Sequence, residues 1–113
     1  MGMREELSLI VEISDILGIS ATGRKILALL AKSKRKLSVA EIIASTKRSE
    51  RSVKAHLKAL IDLNLVQREI SVTKSGRLAY RYFKVQSVDL IFSARRAMLK
   101  RLRNLKNRWG ETK

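Results

Sequence analysis

The strongest local signals in this chain lie in the segment LSVAEIIASTKRSERSVKAHLKALIDLNLVQR, residues 37–68. Ser38, followed three residues later by Glu41, forms a capping box, which indicates that a helix begins directly after Ser38. Leu37 before this cap and Ile42 in the first turn complete a hydrophobic staple, which fixes the angle at which the chain enters the helix. The segment therefore predicts a short helix that ends near Thr46.

A second helix is predicted after only two further residues, Lys47 and Arg48. Ser49 is its expected N-cap, because a serine hydroxyl at this position accepts a hydrogen bond from a free backbone N–H group. Asn64 stands where the chain leaves the helix, in a left-handed conformation that Asn tolerates. One face of the helix is apolar and consists of Val53, Leu57, Leu60 and Ile61. A short helix, a tight turn and a second helix predict a helix-turn-helix.

A β-hairpin is predicted next, because the spacing of apolar residues changes from helical to alternating after Leu65. The first alternating run covers residues 66–72, and a second extended run, rich in Tyr and Phe, covers residues 78–85. The polar segment 73–77 between them contains Gly76, which permits a tight turn. A hairpin directly after a helix-turn-helix is typical of a winged helix, in which the hairpin is the wing.

Further helices are predicted on both sides of this unit. An apolar stripe predicts the first over residues 3–17, and this helix carries four of the ten acids in the chain. A second helix is expected over about residues 22–32. The last helix, over about residues 88–109, has apolar residues at the three-four spacing of a coiled coil, interrupted once by Arg95.

The charges of the first and last helices suggest how the two ends of the chain are used. Seven cations and no acid lie in the last helix from Arg95 to Arg108, so two copies of this helix lying parallel would repel each other. The first helix is acidic, and its charge is complementary to that of the last helix. We expect the first and last helices to pack together with contacts exchanged between two subunits. An antiparallel pair of last helices and packing within a monomer are the alternatives. The predicted dimerisation residues are Leu7, Ile10, Ile91, Met98, Leu102, Leu105 and Trp109.

The whole pattern divides the chain into three parts. Residues 1–20 form an N-terminal packing helix, residues 21–86 a winged helix-turn-helix domain, and residues 87–113 a basic, coiled-coil-like helix. The expected fold is mainly α with a small β-hairpin, in the α+β class. A length of 113 residues suits one domain, and a 45% hydrophobic composition is sufficient to bury a core.

Composition also limits the function. Lys and Arg total 25 against 10 acids, which gives a net charge of +15 and indicates a polyanionic partner. The chain has no Cys and one His, His56, for which a packing or solvent-edge role is expected, so we expect no disulfide, no Cys/His zinc site and no cofactor. The sequence has no phosphate-binding glycine loop and no convincing pair of carboxylates, which argues against an enzyme.

No apolar run approaches the length of a membrane span, and the acidic N-terminus is unlike a signal peptide, so we expect a cytoplasmic, nucleoid-associated protein without a membrane partner.

A DNA-binding surface is predicted on the polar face of the second helix of the helix-turn-helix, over residues 49–63. Side chains of Arg, Lys and Ser can bond to base edges or phosphates, and a small Ala allows the backbone to approach a groove closely. The basic hairpin tip, within residues 73–78, would reach the backbone or the minor groove. The predicted DNA-binding residues are Lys47, Arg48, Ser49, Arg51, Ser52, Lys54, Ala55, Lys58, Lys74, Ser75 and Arg77.

The segment from Leu37 to Val85 resembles the winged-helix domain of archaeal and bacterial transcription regulators of the MarR, ArsR and TrmB-like types. The resemblance rests on LSVAEII (37–43), SERSVKAHLKAL (49–60) and LNLVQR (63–68), and GRLAYRY (76–82) is similar to the wing exit of small archaeal members. It implies a dimer that binds double-stranded DNA, with residues 49–58 as the recognition helix and residues 74–77 as the wing. Asn64 replaces the usual Gly, and no effector domain is appended.

Two other functions remain open from the sequence. A sequence-independent architectural or chromatin protein would bind DNA through phosphates alone, with a steep salt dependence. A winged-helix protein-interaction module would not read bases at all. RNA is a weaker alternative because the A-form major groove does not admit a helix, and a membrane-surface role for the last helix is weaker because its apolar seam is narrow.

Overall fold

The structure, a computed structural model, describes residues 1–110. Over this range it contains five helices and one antiparallel two-stranded sheet, which confirms the predicted fold class. Residues 111–113 of the predicted C-terminal unit lie outside the described residues. The elements are α1 (Met3–Leu17), α2 (Ala21–Lys32), α3 (Val39–Thr46), α4 (Glu50–Asp62), β1 (Val66–Val72), β2 (Leu78–Lys84) and α5 (Ser87–Trp109).

The ends of α3 and α4 are fixed by local hydrogen bonds. The Ser38 hydroxyl accepts from the Glu41 backbone N–H at 3.2 Å, and the Glu41 carboxylate accepts from the Ser38 N–H at 3.0 Å, so the predicted capping box is present. The Ser49 hydroxyl accepts from the Ser52 N–H at 3.1 Å and starts α4. Asn64 adopts the predicted left-handed conformation (φ 60°) after α4. Lys47, for which no such conformation was predicted, is also left-handed (φ 57°) and ends α3.

The hairpin is joined to the helical body at its base. Leu37 and Tyr82 form an isolated antiparallel bridge, in which the Leu37 N–H donates to the Tyr82 carbonyl at 3.0 Å and the Tyr82 N–H donates to the Leu37 carbonyl at 2.7 Å. Leu37 directly precedes the cap of α3, so the base of the wing and the start of the helix-turn-helix are tied together. At the other end, the Thr73 N–H donates to the Arg77 carbonyl at 2.8 Å, and Gly76 (φ 81°) forms the turn.

One hydrophobic core unites these elements. α4 contributes Val53, Leu57 and Leu60, which are almost fully buried, and its remaining faces are left to solvent. β1 contributes only Val66, and β2 only Tyr82, so the outer part of the hairpin projects from the body. The core includes Ile10, Ile13, Leu17, Ile26, Leu27, Leu30, Leu37, Ile42, Leu65, Val85 and Leu90.

Helices α1 and α5 pack against each other within this single chain. The Arg101 guanidinium donates to the Leu17 carbonyl at 2.7 Å, at the C-terminal end of α1. The Glu6 carboxylate on α1 pairs with the Lys84 ammonium of β2 at 2.5 Å, and both side chains are mostly buried. From Leu99 to Gly110 every residue is exposed, so the second half of α5 projects beyond the body. No helix within residues 1–110 is both long and apolar enough to cross a lipid bilayer.

Candidate nucleic-acid interface

The outer face of α4 presents a cationic ridge. Arg51, Lys54, Ala55 and Lys58 are exposed, and Ser52 is half-buried, while the opposite face is held in the core. The Lys54 ammonium pairs with Glu50 at 3.1 Å, and both side chains are more than half exposed. Such a surface pair contributes little energy, so the ammonium can exchange the carboxylate for a phosphate.

The three residues before α4 are exposed, but they differ in what they contact. Lys47, Arg48 and Ser49 are all exposed, and the Ser49 hydroxyl is engaged as the cap of α4. Arg48 also lines a shallow groove between α1 and α2, beside Ala21 and Arg24. Of the three predicted DNA-binding residues in the turn, Arg48 therefore borders the helical body as well as the ridge.

The wing tip is ordered by short side-chain contacts. Lys74, Ser75 and Arg77 are exposed. The Thr73 hydroxyl accepts from the Arg77 N–H at 3.1 Å and lies 3.0 Å from the Ser75 hydroxyl. Because these bonds close the turn, the two cations flank it in a fixed backbone conformation.

A cleft joins α4 to the wing, and sequence reasoning did not include its central residues among the site residues. The Arg68 guanidinium lies over the Tyr80 ring, 4.0 Å from its centre. Both side chains line the cleft together with Lys54, Lys58 and the acid Asp62. The alternating pattern of β1 places Arg68 on the side that faces α4, and this signal could have identified it.

The other face of the hairpin carries neutralised charges. The Lys36 ammonium binds the Glu69 carboxylate at 2.6 Å and lies 4.6 Å from the centre of the Phe83 ring. Arg81 pairs with Glu41 at 3.6 Å. The hydrogen bond from the Ser38 backbone, and after it the neighbouring Arg35, hold the pKa of Glu41 below its ordinary value. Glu41 and Glu69 are therefore engaged away from the α4 side, whereas Asp62 lines the cleft itself.

His56 lies on α4 beside the ridge and is half-buried. Its Nδ1 is 2.7 Å from the Ser52 carbonyl oxygen and donates to it, because a carbonyl can only accept. The ring is thus occupied in a hydrogen bond within its own helix.

The predicted dimerisation residues divide into three groups by burial. Ile10 is 1% exposed in the core of the single chain and is not available to a partner. Leu7 and Met98 are half-buried against that core. The others, Ile91, Leu102, Leu105 and Trp109, are about half exposed on α5, as are Phe92 and Leu99, which the prediction did not include.

Comparison with known proteins gives the same architecture. Residues 20–68 match the family model of bacterial regulatory proteins of the arsR family. A "possible transcriptional regulator" from Methanosarcina mazei Go1 is 16% identical with a TM-score of 0.67, over 89% of this chain and 85% of that one. A MepR mutant from S. aureus bound to an oligodeoxyribonucleotide is 18% identical with a TM-score of 0.56, over 96% and 78% of the two chains.

Two further comparisons complete this result. MepR bound to ethidium bromide is 17% identical with a TM-score of 0.54, over 96% of this chain and 76% of that one. No curated protein sequence matches this chain. The matches confirm the winged helix-turn-helix fold and the predicted resemblance to winged-helix regulators, including the ArsR and MarR types.

Proposed function

We propose that this chain, a winged helix-turn-helix protein of the regulator type, binds double-stranded DNA as a homodimer and regulates transcription in the cytoplasm without an enzymatic activity. The observation that carries the proposal is the outer face of α4, where Arg51, Lys54 and Lys58 are exposed above a fully buried inner face. An α-helix fits the width of a B-form major groove, and Arg and Lys side chains on its outer face can donate to the acceptors of base edges there.

Sequence reading is assigned to the first turns of α4. Arg51 can donate two hydrogen bonds to guanine O6 and N7, and the methyl group of Ala55 can contact a thymine methyl. Lys74 and Arg77 at the wing tip would bind phosphates or the adjacent minor groove, and these contacts would set the register of the protein on the duplex.

The dimer is assigned to the exposed apolar side of α5. Seven large apolar side chains of α5 are about half exposed or more within residues 1–110: Val88, Ile91, Phe92, Leu99, Leu102, Leu105 and Trp109. Exposed apolar clusters of this kind mark sites of association. The acids Glu5 and Glu12 on α1 are exposed and complement the cations of α5, which supports an exchange of contacts between subunits, whereas Asp15 is paired with Arg24 of α2. A dimer would separate its two recognition helices by about one turn of DNA, roughly 34 Å, and favour a pseudo-palindromic site.

Selection of bound DNA from a random pool at two salt concentrations tests the function. We expect one motif to be enriched and Arg51→Ala to weaken binding to it by about 1–3 kcal/mol and relax its sequence preference. Arg4→Ala on α1 removes the same charge away from the interface and is the matched control. Equal affinity for selected and random duplexes would instead support the architectural alternative, to which the net charge of +15 is also suited.

A further inference from the structure

The outer half of the wing has an apolar face and a polar face. Side chains of alternate residues share a side, and the register pairs Ile70 with Tyr80 and Val72 with Leu78. All four are exposed, to 61%, 42%, 69% and 73% respectively. Solvated hairpins ordinarily place polar residues at such positions, so this cluster of large apolar side chains beside the tip needs a partner.

The apolar face lies on the same side of the hairpin as the α4 ridge. Arg68 and Tyr80 belong to this face, and both line the cleft with Lys54 and Lys58 of α4. Tyr82, at the base of the same face, is buried in the core. A duplex seated on α4 would therefore meet the apolar side of the wing, while Glu69, bound to Lys36, lies on the other side.

We infer that Val72 and Leu78, with Ile70 and Tyr80 behind them, form an apolar wedge that enters the minor groove of the bound duplex and bends the DNA. This inference rests on the proposed function and adds a mode of binding to it. Apolar side chains that enter a minor groove partly unstack a base step and kink the duplex toward the major groove. Lys74 and Arg77 next to the wedge would bind the phosphates on either side.

A second copy of the wing is the rival occupant of this face. Two wings packed face to face would bring Arg68, Lys74 and Arg77 of each copy close together, and their like charges oppose this contact. A polyanion satisfies the same cations and covers the apolar side chains at the same time. Charge therefore favours DNA over self-association.

The test compares two double variants on the duplex that the wild-type protein selects from a random pool. Val72→Thr/Leu78→Thr removes the apolar contacts. The strands are preserved because threonine, like the valine it replaces at position 72, is β-branched and favours strands. Lys74→Ala/Arg77→Ala removes the two cations of the wing tip and leaves the four apolar side chains unchanged. Bending is measured by energy transfer between dyes at the two ends of the duplex, and affinity is measured over a range of salt concentrations. Thermal unfolding checks that both variants remain folded.

The threonine variant should lose most of the bend and about tenfold in affinity, with an unchanged salt slope because no phosphate contact is lost. The alanine variant should lower the salt slope. Wild-type affinity and bend in the threonine variant would overturn the wedge, and would leave the proposed function intact if Arg51→Ala still weakens binding. Loss of self-association in the threonine variant would assign the face to a second copy. If the wild-type protein binds no duplex, the proposed function fails as well.

Discussion

The cations of this molecule differ in what they already contact. Lys36 is bound to Glu69 and Lys54 to Glu50, so part of their charge is neutralised locally. Within residues 1–110, no ion pair involves Lys74 or Arg77 at the wing tip. Cations without an ion pair displace the most counterions from the DNA when they bind its phosphates. We therefore expect Lys74 and Arg77 to dominate the salt dependence of binding.

Lys74→Ala tests this at the level of one residue. It should weaken binding to selected and random duplexes alike, and should lower the slope of log affinity against log salt by about one unit, because one phosphate contact is lost. Lys34→Ala, in the exposed connector before α3, removes the same charge away from the wing. Titrations at several salt concentrations measure both slopes, and equal slopes for the two variants would remove the wing from the interface.

The short helix α3 depends on its first turn. The helix has only eight residues, so the reciprocal hydrogen bonds of Ser38 and Glu41 are a large share of what fixes its start. Glu41 also holds Arg35 and Arg81 beside this turn. The cap therefore stabilises the first turn of a helix that packs against α4.

Ser38→Ala should lower the free energy of unfolding by about 1 kcal/mol, the usual value of an N-cap.

The pKa of Glu41 is lowered in the folded chain, chiefly by the Ser38 backbone hydrogen bond, so the ionised carboxylate stabilises folding. This contribution is complete above the pKa of Glu41 in the unfolded chain and is lost as pH falls through its lower folded value. Denaturant unfolding measured from neutral to acidic pH should therefore show a decline that Glu41→Gln reduces. An identical decline in this variant would mean that other carboxylates cause it.

The boundaries of α3 and α4 follow from signals that lie within a few residues of each helix end, and these were predicted correctly. The left-handed Lys47 was not predicted, because neither Gly nor Asn marks that turn and the conformation is set by packing of α3 on α4. The same limit applies to α5. Its spacing indicates an apolar seam, but only the contacts with α1 determine that Met98 turns inward and Leu99 outward. The Leu37–Tyr82 bridge joins residues far apart in sequence and has no local signal.

The folded chain has one long dimension of 61 Å, against 32 and 23 Å for the others. The projecting half of α5, in which every residue from 99 to 110 is exposed, is consistent with this elongated shape. A helix of this length gains little stability alone, since helical segments in proteins depend on packing of an apolar face. We expect the partner subunit to supply that packing.

Leu102→Ser/Trp109→Ser should convert a dimer to a monomer, because it removes two of the large exposed side chains from this surface. Light scattering after gel filtration measures the mass directly. Leu78→Thr on the wing removes a side chain of comparable exposure, 73%, and should leave the dimer intact. A wild-type protein that is monomeric at micromolar concentration would contradict the assignment of α5 to dimerisation.

The bridge between Leu37 and Tyr82 has a mechanical consequence. Its two backbone hydrogen bonds close residues 37–82 into a ring that contains α3, α4, β1, the wing tip and β2 as far as Tyr82. The wing cannot swing about its base without breaking bonds next to the cap of α3. The ridge and the wing therefore keep a fixed distance from each other once the chain has folded. A duplex bound by both has to adjust its own shape to that distance.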